Sequence, residues 1–514
     1  MLVLASCLQI LAIMNYVLNP DYTLSVDEGR VMLMSKGKYF PPNWGGVSGF
    51  EGFIHPVFAV ILSFFKGGNF NDSISEASVY LNVDLIYIRQ FAKDLLNNEN
   101  FFIVKYGDIS MVFPPKTIVE TTDEMSIYLY DPQSFINNNR IDLRHKRHSL
   151  PRDISLFLTS NCYTDCLYCL ADRTMNIPSE HQLSTQRICE LIQEAKELGV
   201  NSFEITGGEV FLHPDWFKIV SQLIDCGFVP YISTKIPISY SIVKKLKCLG
   251  VKEIQISLDS AENEILNKLV QPKEGGRYLE RMKRTFYLLN ENGINVCVHT
   301  IITSFNDSTQ NIGIIYDFIK GYDNISSWRI DEAFFSRYSK STWSKLRTSL
   351  KKMRLIHDFV KTYRGDINID IDDYSSQSIS FADKKEFLKK GVRCPANYSS
   401  MGILPDGMVT SCSRFFWTPQ FLIGDIKKDS IKDVWQSEKA IELWNKKRAI
   451  RESNKTTNNG SKCYQCGDFD FCIDASRVCW SEIVDIYGLE KWDYPDMQCP
   501  DSDFEKAYEK NIEL

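Results

Sequence analysis

Cys162, Cys166 and Cys169 are spaced Cys-x3-Cys-x2-Cys, directly after an apolar run at 154–158 that reads as a buried strand. Three thiolates on one short loop can hold three irons of a cubane [4Fe–4S] cluster and leave the fourth iron without a protein ligand. An iron with an open position can bind and reduce a small molecule, so this spacing points to chemistry rather than scaffolding. A structural zinc site takes four protein ligands, and no fourth lies near these three in the sequence. The competing readings are a zinc knuckle or three unrelated buried cysteines. Further along, Thr206-Gly207-Gly208-Glu209 closes a second apolar strand at 201–206. Two adjacent glycines let a backbone approach a ligand closely.

With Tyr168 before its last Cys, the cysteine loop resembles the signature of the radical S-adenosylmethionine (SAM) enzymes, and Gly207-Gly208-Glu209 resembles that family's SAM-binding motif. The resemblance implies that Glu209 takes the charge of the SAM amino group beside Gly207 and Gly208. It implies that Ser257 and Asp259 bond the ribose hydroxyls, with Ser233 and Thr234 as further SAM-side candidates, and that Tyr168 offers its ring or backbone to adenine. For Ser257 and Asp259 a polar strand end or helix cap is the competing reading. The chemistry implied is electron transfer from the reduced cluster to SAM, release of methionine, and hydrogen abstraction by a 5′-deoxyadenosyl radical.

These residues need a scaffold. At 514 residues the chain should hold two to four domains. From 151 to 340 strands at 153–160, 201–206, 229–234, 252–258, 294–302 and 328–335 alternate with helices at 183–198, 214–226, 239–248, 261–291 and 308–320. Strand–helix alternation means parallel strands with right-handed crossovers. The expected fold class is therefore α/β, a partial (β/α)6 TIM-like barrel, and in such barrels chemistry gathers at the C-terminal strand ends. The cysteine loop, Glu209, Ser233, Ser257 and Asp259 all fall there. His213-Pro214-Asp215 reads as a helix start, and Cys189, Cys226, Cys248 and Cys297 as plain core residues.

Residues 14–118 read as a small α+β domain: strands at 22–26 and 30–35 around a Val-Asp-Glu-Gly turn, helices at 55–65, 72–81 and 84–97, and a hairpin of 101–105 with 109–113. Asn71 or Asp72 is the expected cap of the middle helix. This is a winged-helix pattern. Arg89 and Lys93 on its third helix are balanced by Asp84 and Asp94, which is a poor surface for DNA. The alternative use is peptide binding by strand addition. The layout ahead of the barrel resembles the leader-peptide recognition element of enzymes that modify ribosomally made peptides. Residues 119–150 read as a linker whose basic run, 140–147, is a solvated face. Residues 1–20 carry no Lys or Arg, and only six residues precede Cys7, so a secretory signal or lipoprotein anchor is not expected. The preferred reading is an N-terminal extension with the true start at Met14. No membrane span is expected either.

After a bridging region at 341–390, with a helix at 341–363 and an acidic-faced strand at 366–374, residues 391–514 hold a second group of cysteines. Cys463-x2-Cys466-x5-Cys472 reads as a metal site. With Cys394, Cys412, Cys479 and Cys499 it resembles the SPASM domain, a small Cys-rich iron–sulfur module. The resemblance implies one auxiliary cluster on Cys463, Cys466, Cys472 and Cys499, and another on Cys394, Cys412 and a displaced Cys479, since Ser476 stands where the family has its next Cys.

The whole reads as a radical SAM peptide maturase. The resemblance implies three [4Fe–4S] clusters and SAM, and an oxidative cross-link (thioether, C–C or C–O) installed in a precursor peptide whose leader binds residues 14–118. Flavodoxin or ferredoxin is the expected electron donor. Ten of the fifteen cysteines fall in motif-like groups, which favours a reducing, cytoplasmic compartment over disulfides. A net charge of −6 gives no reason to expect nucleic acid. Asp331, Glu332 and the acidic group at 370–373 are candidates for a general base. The alternatives are a sulfatase-type maturase oxidising Cys or Ser in a protein, which needs no leader domain, and an iron–sulfur sensor that binds DNA.

Overall fold

The computed structural model of the chain describes residues 14–36, 42–107, 109–136, 140–143, 147–171, 177–273, 275–333, 343–363, 365, 367–371, 381, 383–390, 393–445, 461–474, 477–488, 491 and 494–502. The Cys7 stretch, residues 372–373 and Ser476 lie outside them. The chain forms two compact units, Met1–Ser149 and Leu150–Leu514. Among the described residues no helix is long and apolar enough to cross a membrane.

In the first unit β2 (Tyr22–Asp27) and β3 (Arg30–Ser35) form the expected hairpin, with Glu28 at a φ of 53° in its two-residue turn. Alternation puts Leu24 opposite Leu33 in the core. Helix α1 (Pro56–Ser63) starts on proline, which fits a first-turn position whose N–H is unpaired anyway, and His55 caps it. Helix α2 (Phe70–Leu81) begins earlier than expected. Its cap is Asn69, whose side chain accepts from the Asp72 N–H at 2.9 Å, rather than Asn71 or Asp72. Helix α3 (Leu85–Leu95) is capped by Asp84 and buries Ile88, Phe91, Ala92 and Leu95 at helical spacing. β6 (Phe102–Tyr106) and β7 (Ile109–Phe113) make the second hairpin.

Three further features depart from the sequence reading. β1 (Asn15–Leu18), part of the apolar N-terminal stretch, is a core strand flanked by β5 (Lys66–Asn69) and β8 (Ile118–Glu120). The sequence Lys-Gly-Gly-Asn has no apolar alternation, which is why β5 carried no signal. β4 (Glu51–Ile54) extends the β2–β3 pair. The end of the basic run is packed rather than solvated: Leu143 and His148 are buried, and burial pushes the Arg147 guanidinium down to about 9.

In the second unit β9 (Asp153–Phe157) pairs in parallel with β10 (Ser202–Thr206). β11 (Ser233–Thr234), β12 (Glu253–Ser257), β13 (Asn295–Ile302), β14 (Ile325–Glu332) and β15 (Asn368–Ile371) form a second parallel run. The barrel thus continues into the region read as a bridge. On the other side of β9 lies β16 (Ser400–Ile403), also parallel, followed by antiparallel β17 (Met408–Thr410) and β18 (Leu422–Asp425). The outer layer includes α4 (Thr185–Glu197), which Ser184 caps, and α5 (Trp216–Asp225).

Three expected elements are shorter or split. The strand at 229–234 keeps only Ser233 and Thr234, because Pro230 has no N–H to give a ladder. The helix at 261–291 breaks into α6 (Asn263–Leu269) and α7 (Tyr278–Glu291) around Pro272, Gly275 and Gly276. The break frees backbone groups that the cysteine loop uses: Asp165 and Leu167 N–H donate to the carbonyls of Val270 and Leu269, each at 3.0 Å. The helix at 341–363 likewise divides, with Leu350–Val360 restarting on a Ser349 cap. Cys226 is buried as expected, but Cys248 is exposed.

Gly207 and Gly208 are required by the chain itself. Gly207 has a φ of 143°, and a Cβ there would come 2.8 Å from the Thr159 carbonyl oxygen. A Cβ at Gly208 would overlap the Asn161 carbonyl. The close approach is therefore between the β10 exit and the backbone leading into the cysteines, tied by Gly208 N–H to Thr159 O at 2.8 Å. Gly208→Ala should displace that loop. We expect a lower melting temperature and fewer irons retained after anaerobic reconstitution, while Gly321→Ala, whose Cβ would meet nothing closer than 3.5 Å, leaves the loop's iron in place.

Candidate cofactor pocket and cysteine clusters

The cysteine loop leaves β9 and returns along the broken helix, where the Lys273 ammonium also holds the Cys162 carbonyl at 2.7 Å. Thr164 lies between two of the thiols, its hydroxyl 3.5 Å from Cys162 Sγ and 3.4 Å from Cys166 Sγ. Cys166 is buried, and burial pushes its thiol up to about 11, with the nearby Lys235 ammonium opposing the shift. None of the described cysteines is in a disulfide. Three reduced sulfurs on one turn, one buried and two half-exposed, fit a cluster held at the barrel mouth with one face open.

Glu209 sits beside this loop with 3% of its surface exposed. Its carboxylate accepts from the Thr234 hydroxyl at 2.9 Å, Phe211 N–H at 3.2 Å and Lys235 N–H at 3.5 Å. All are neutral donors, so desolvation prevails and pushes the carboxyl up to about 7. A buried acid without a cation partner fits the ammonium end of a ligand.

Asp259 is placed differently from the sequence expectation. It is fully buried, and Oδ1 accepts from Ile301 N–H at 3.0 Å. Oδ2 accepts from the Lys235 ammonium at 2.7 Å and from the Tyr168 hydroxyl. Both oxygens are bonded inside the protein and the residue has no exposed surface, so Asp259 acts as an anchor in this fold. Tyr168 is drawn into the same network: its hydroxyl also accepts from Lys235, which turns the phenol away from solvent. Ser257, at the end of β12, is buried two residues before this anchor. Ser233 accepts from Gln255 Nε2 at 2.8 Å.

The inner face of β12, β13 and β14 is polar. His299 Nε2 meets Asp331 at 2.9 Å, and Arg329 meets the same carboxylate at 2.8 Å. These two partners hold the Asp331 carboxyl below the usual carboxylate range against its burial, which makes it a poor proton acceptor. Glu332 is pushed up to about 7 by burial, with Arg347 opposing. Lys235, Tyr278, His299 and Arg329 were not singled out in the sequence. Lys235 alone left a trace, following Ser233-Thr234 at a strand end; the others lie within ordinary strand and helix patterns.

Toward the C-terminus, Cys463, Cys466, Cys472 and Cys499 line one cavity with Phe469 and Tyr494. Lys384 reaches it, bonding the Cys466 sulfur and, at 2.7 Å, Asp501. Cys479 lies in hydrogen-bonding contact with Cys394, and that contact with burial holds its thiol far above the usual range. Asn397 N–H bonds Ser411 O at 3.2 Å, which brings the segment after Cys394 beside the one entering Cys412. Two groups of thiols outside any disulfide fit the sulfur-donor chemistry of iron–sulfur clusters. Among the described residues no three His, Cys, Asp or Glu side chains close on a single-ion site.

The raised Glu209 carboxyl fixes a pH response of the ligand-free protein. Between the ordinary Glu value near 4.5 and about 7 the folded state holds a proton that the unfolded state has lost. Stability must therefore fall as pH rises through this window, by on the order of 3 kcal/mol in the full limit. Glu332 adds a response of the same sign. Glu209→Gln should flatten the decline in melting temperature between pH 5 and pH 7.5 relative to the unchanged protein, and an unaltered slope would contradict the burial account.

Comparison with known proteins agrees with this geometry. Residues 156–319 match the radical SAM superfamily, and residues 394–467 match the SPASM iron–sulfur cluster-binding domain. A GTP 3′,8-cyclase from Sulfurovum sp. is 27% identical over 157 residues, 29% of this chain and 46% of that protein. The chain spans 46% and 56% of the lengths of two such cyclases. The mycofactocin maturase MftC of Mycolicibacterium smegmatis is 25% identical over 332 residues, 61% of this chain and 75% of that protein. Streptococcus suis SuiB, solved with S-adenosylmethionine, shares the fold with a TM-score of 0.62 at 17% identity, over 93% of this chain and 98% of SuiB. SuiB has also been solved bound to its precursor peptide SuiA, with a TM-score of 0.60 to this chain. The two domain matches imply iron–sulfur clusters and SAM as cofactors. The cysteine loop and the Gly-Gly-Glu strand end both lie inside the matched region, so the chain carries a radical SAM domain over residues 156–319 and a SPASM domain match over residues 394–467.

Proposed function

We propose that this protein is a peptide maturase that forms an oxidative cross-link in a ribosomally made precursor. The observation that carries this reading is the first unit. β6 pairs with β7 alone among the described residues, and along and before its other edge stand Phe101, Ile103 and Tyr106, each at least half exposed. Val79, Ile86 and Tyr87 add exposed apolar surface around the start of α3. An open strand edge with apolar side chains is the surface on which an extended peptide adds as a further strand. The same fold, first unit included, occurs in SuiB, whose complex with SuiA supports a precursor peptide as the partner here.

Cys162, Cys166 and Cys169 hold the cluster that binds SAM; Cys463, Cys466, Cys472 and Cys499 hold a second, and Cys394, Cys412 and Cys479 a third. When bound, cluster and SAM supply a carbon radical able to take hydrogen from an unactivated carbon. Glu209 binds the amino group of SAM. Ser257 and Ser233 face its ribose, and Gly207 and Gly208 keep Glu209 against the cysteine loop. Leader binding on the first unit raises the local concentration of the core peptide. Glu332, with its carboxyl near 7, is suited to accept a proton during bond formation. A flavodoxin or ferredoxin supplies the electron.

Anaerobic iron and sulfide analysis with a SAM cleavage assay tests the chemistry. About 12 irons per chain are expected for three cubanes, and a Cys162/Cys166/Cys169→Ala variant should lose about four of them and all 5′-deoxyadenosine formation. Binding of leader peptides encoded beside the gene tests the partner. Ile103→Pro, which removes a β6 donor, should abolish leader binding and leave SAM cleavage intact. Full activity on a folded protein substrate with no leader affinity would instead favour a sulfatase-type maturase.

A further inference from the structure

The end of the expected bridging region reaches into the cavity of Cys463, Cys466, Cys472 and Cys499. Phe381 N–H donates to the Gln498 carbonyl at 2.9 Å, one residue before Cys499, and buried Phe387 lines the cavity itself. Between them the helix Lys384–Lys390 begins, with Asp383 Oδ1 accepting from Lys385 N–H at 2.8 Å. The main chain thus delivers the first residue of that helix, Lys384, to the sulfurs.

The Lys384 ammonium bonds the Cys466 sulfur and, at 2.7 Å, Asp501 Oδ2. It is the one cation lining this cavity among the described residues. Two acids share the lining. Asp501 is the partner of Lys384 and has 46% of its side chain exposed, against 28% for the lysine, so water screens the acid more than the cation. Asp496 turns both oxygens onto main-chain N–H groups, those of Cys479 at 2.8 Å and Gln498 at 2.9 Å. Phe469, Ile473 and Val478 make much of the remaining wall apolar, and across such a wall a fixed charge acts strongly.

Reduction adds one negative charge to an iron–sulfur cluster. A cation beside a ligand sulfur, and an N–H donor to it, stabilise the reduced form. We propose that Lys384 raises the reduction potential of the cluster held by Cys463, Cys466, Cys472 and Cys499, which suits that cluster to take up an electron rather than to deliver one to SAM. This rests on the cluster assignment made under the proposed function. The test is a potential rather than turnover: anaerobic redox titration of the full-length, cluster-loaded protein, followed by electron paramagnetic resonance. Addition of SAM marks the signal of the first cluster, and the other two serve as the readout and its internal control. Lys384→Met should shift one midpoint downward by about tenfold in the reduction equilibrium, about 59 mV for one electron, and leave the others in place. Lys384→Arg should keep the original value. Lys384→Gln, which can donate without the charge, should fall between, and it serves if the methionine loosens the cavity. Midpoints that are the same with Lys, Met and Gln at 384, or that all move together, overturn the role of Lys384. Full iron retention in a Cys463/Cys466/Cys472→Ala variant overturns the cluster assignment itself.

Discussion

An ammonium and a carboxylate removed from water together organise the barrel mouth. Taking either ion alone into the interior costs several kcal/mol, so Lys235 and Asp259 must stay in contact. Asp259 follows β12, bonds the first unpaired N–H of the β13 end through Ile301, and accepts Asn306 and Asn311 on its own carbonyl. Lys235 follows β11 and is held by Tyr278 of α7. Tyr168 brings the cysteine loop to the same point. Strand ends that are remote in sequence are therefore fixed against one another by a single charge pair. Removing one member would leave the other buried and unpaired, which is more damaging than losing both.

The glycines solve the complementary problem on the other side of the loop. A loop carrying three sulfurs cannot be placed by its own side chains, since those must stay free for a metal cluster. Its position is instead set by backbone: carbonyls of the broken α6–α7 segment on one flank, and Gly207 and Gly208 on the other. Without a Cβ the β10 exit packs directly on Thr159 and Asn161, and that contact sets Glu209 beside the backbone that leads into the cysteine loop.

What the sequence made legible follows from this division. The motifs that bond through main chain or metal, the cysteines and Gly-Gly-Glu, announce themselves by spacing. The alternating elements of the barrel and the amphipathic stripe of α3 do so by period. Lys235 and Asp259 depend on a contact across 24 positions, which no local window contains. The resemblance made Asp259 a ribose ligand and its strand-end position left a structural role open; only the fold shows that both oxygens are engaged within the protein. β5 was missed because it has glycines where apolar residues would mark a strand. β15 was read as a strand but left outside the barrel, since it lies beyond a split helix that seemed to end it.

The placement of β16 explains why the C-terminal module is part of the barrel's stability as well as its chemistry. A partial barrel leaves unpaired strand edges, and an exposed edge invites pairing with other chains. β9, the strand that feeds the cysteine loop, has β10 on one side and would otherwise be such an edge. β16 pairs with it in parallel from Ser400↔Asp153 to Ile403↔Leu156. The ladder closes the edge and fixes the register of the very strand that delivers Cys162. It also carries Cys412 at a set distance along the sheet through the β16–β17 hairpin. Loss of packing in the C-terminal module must for this reason loosen the first cysteine loop, even though no cysteine is shared between them.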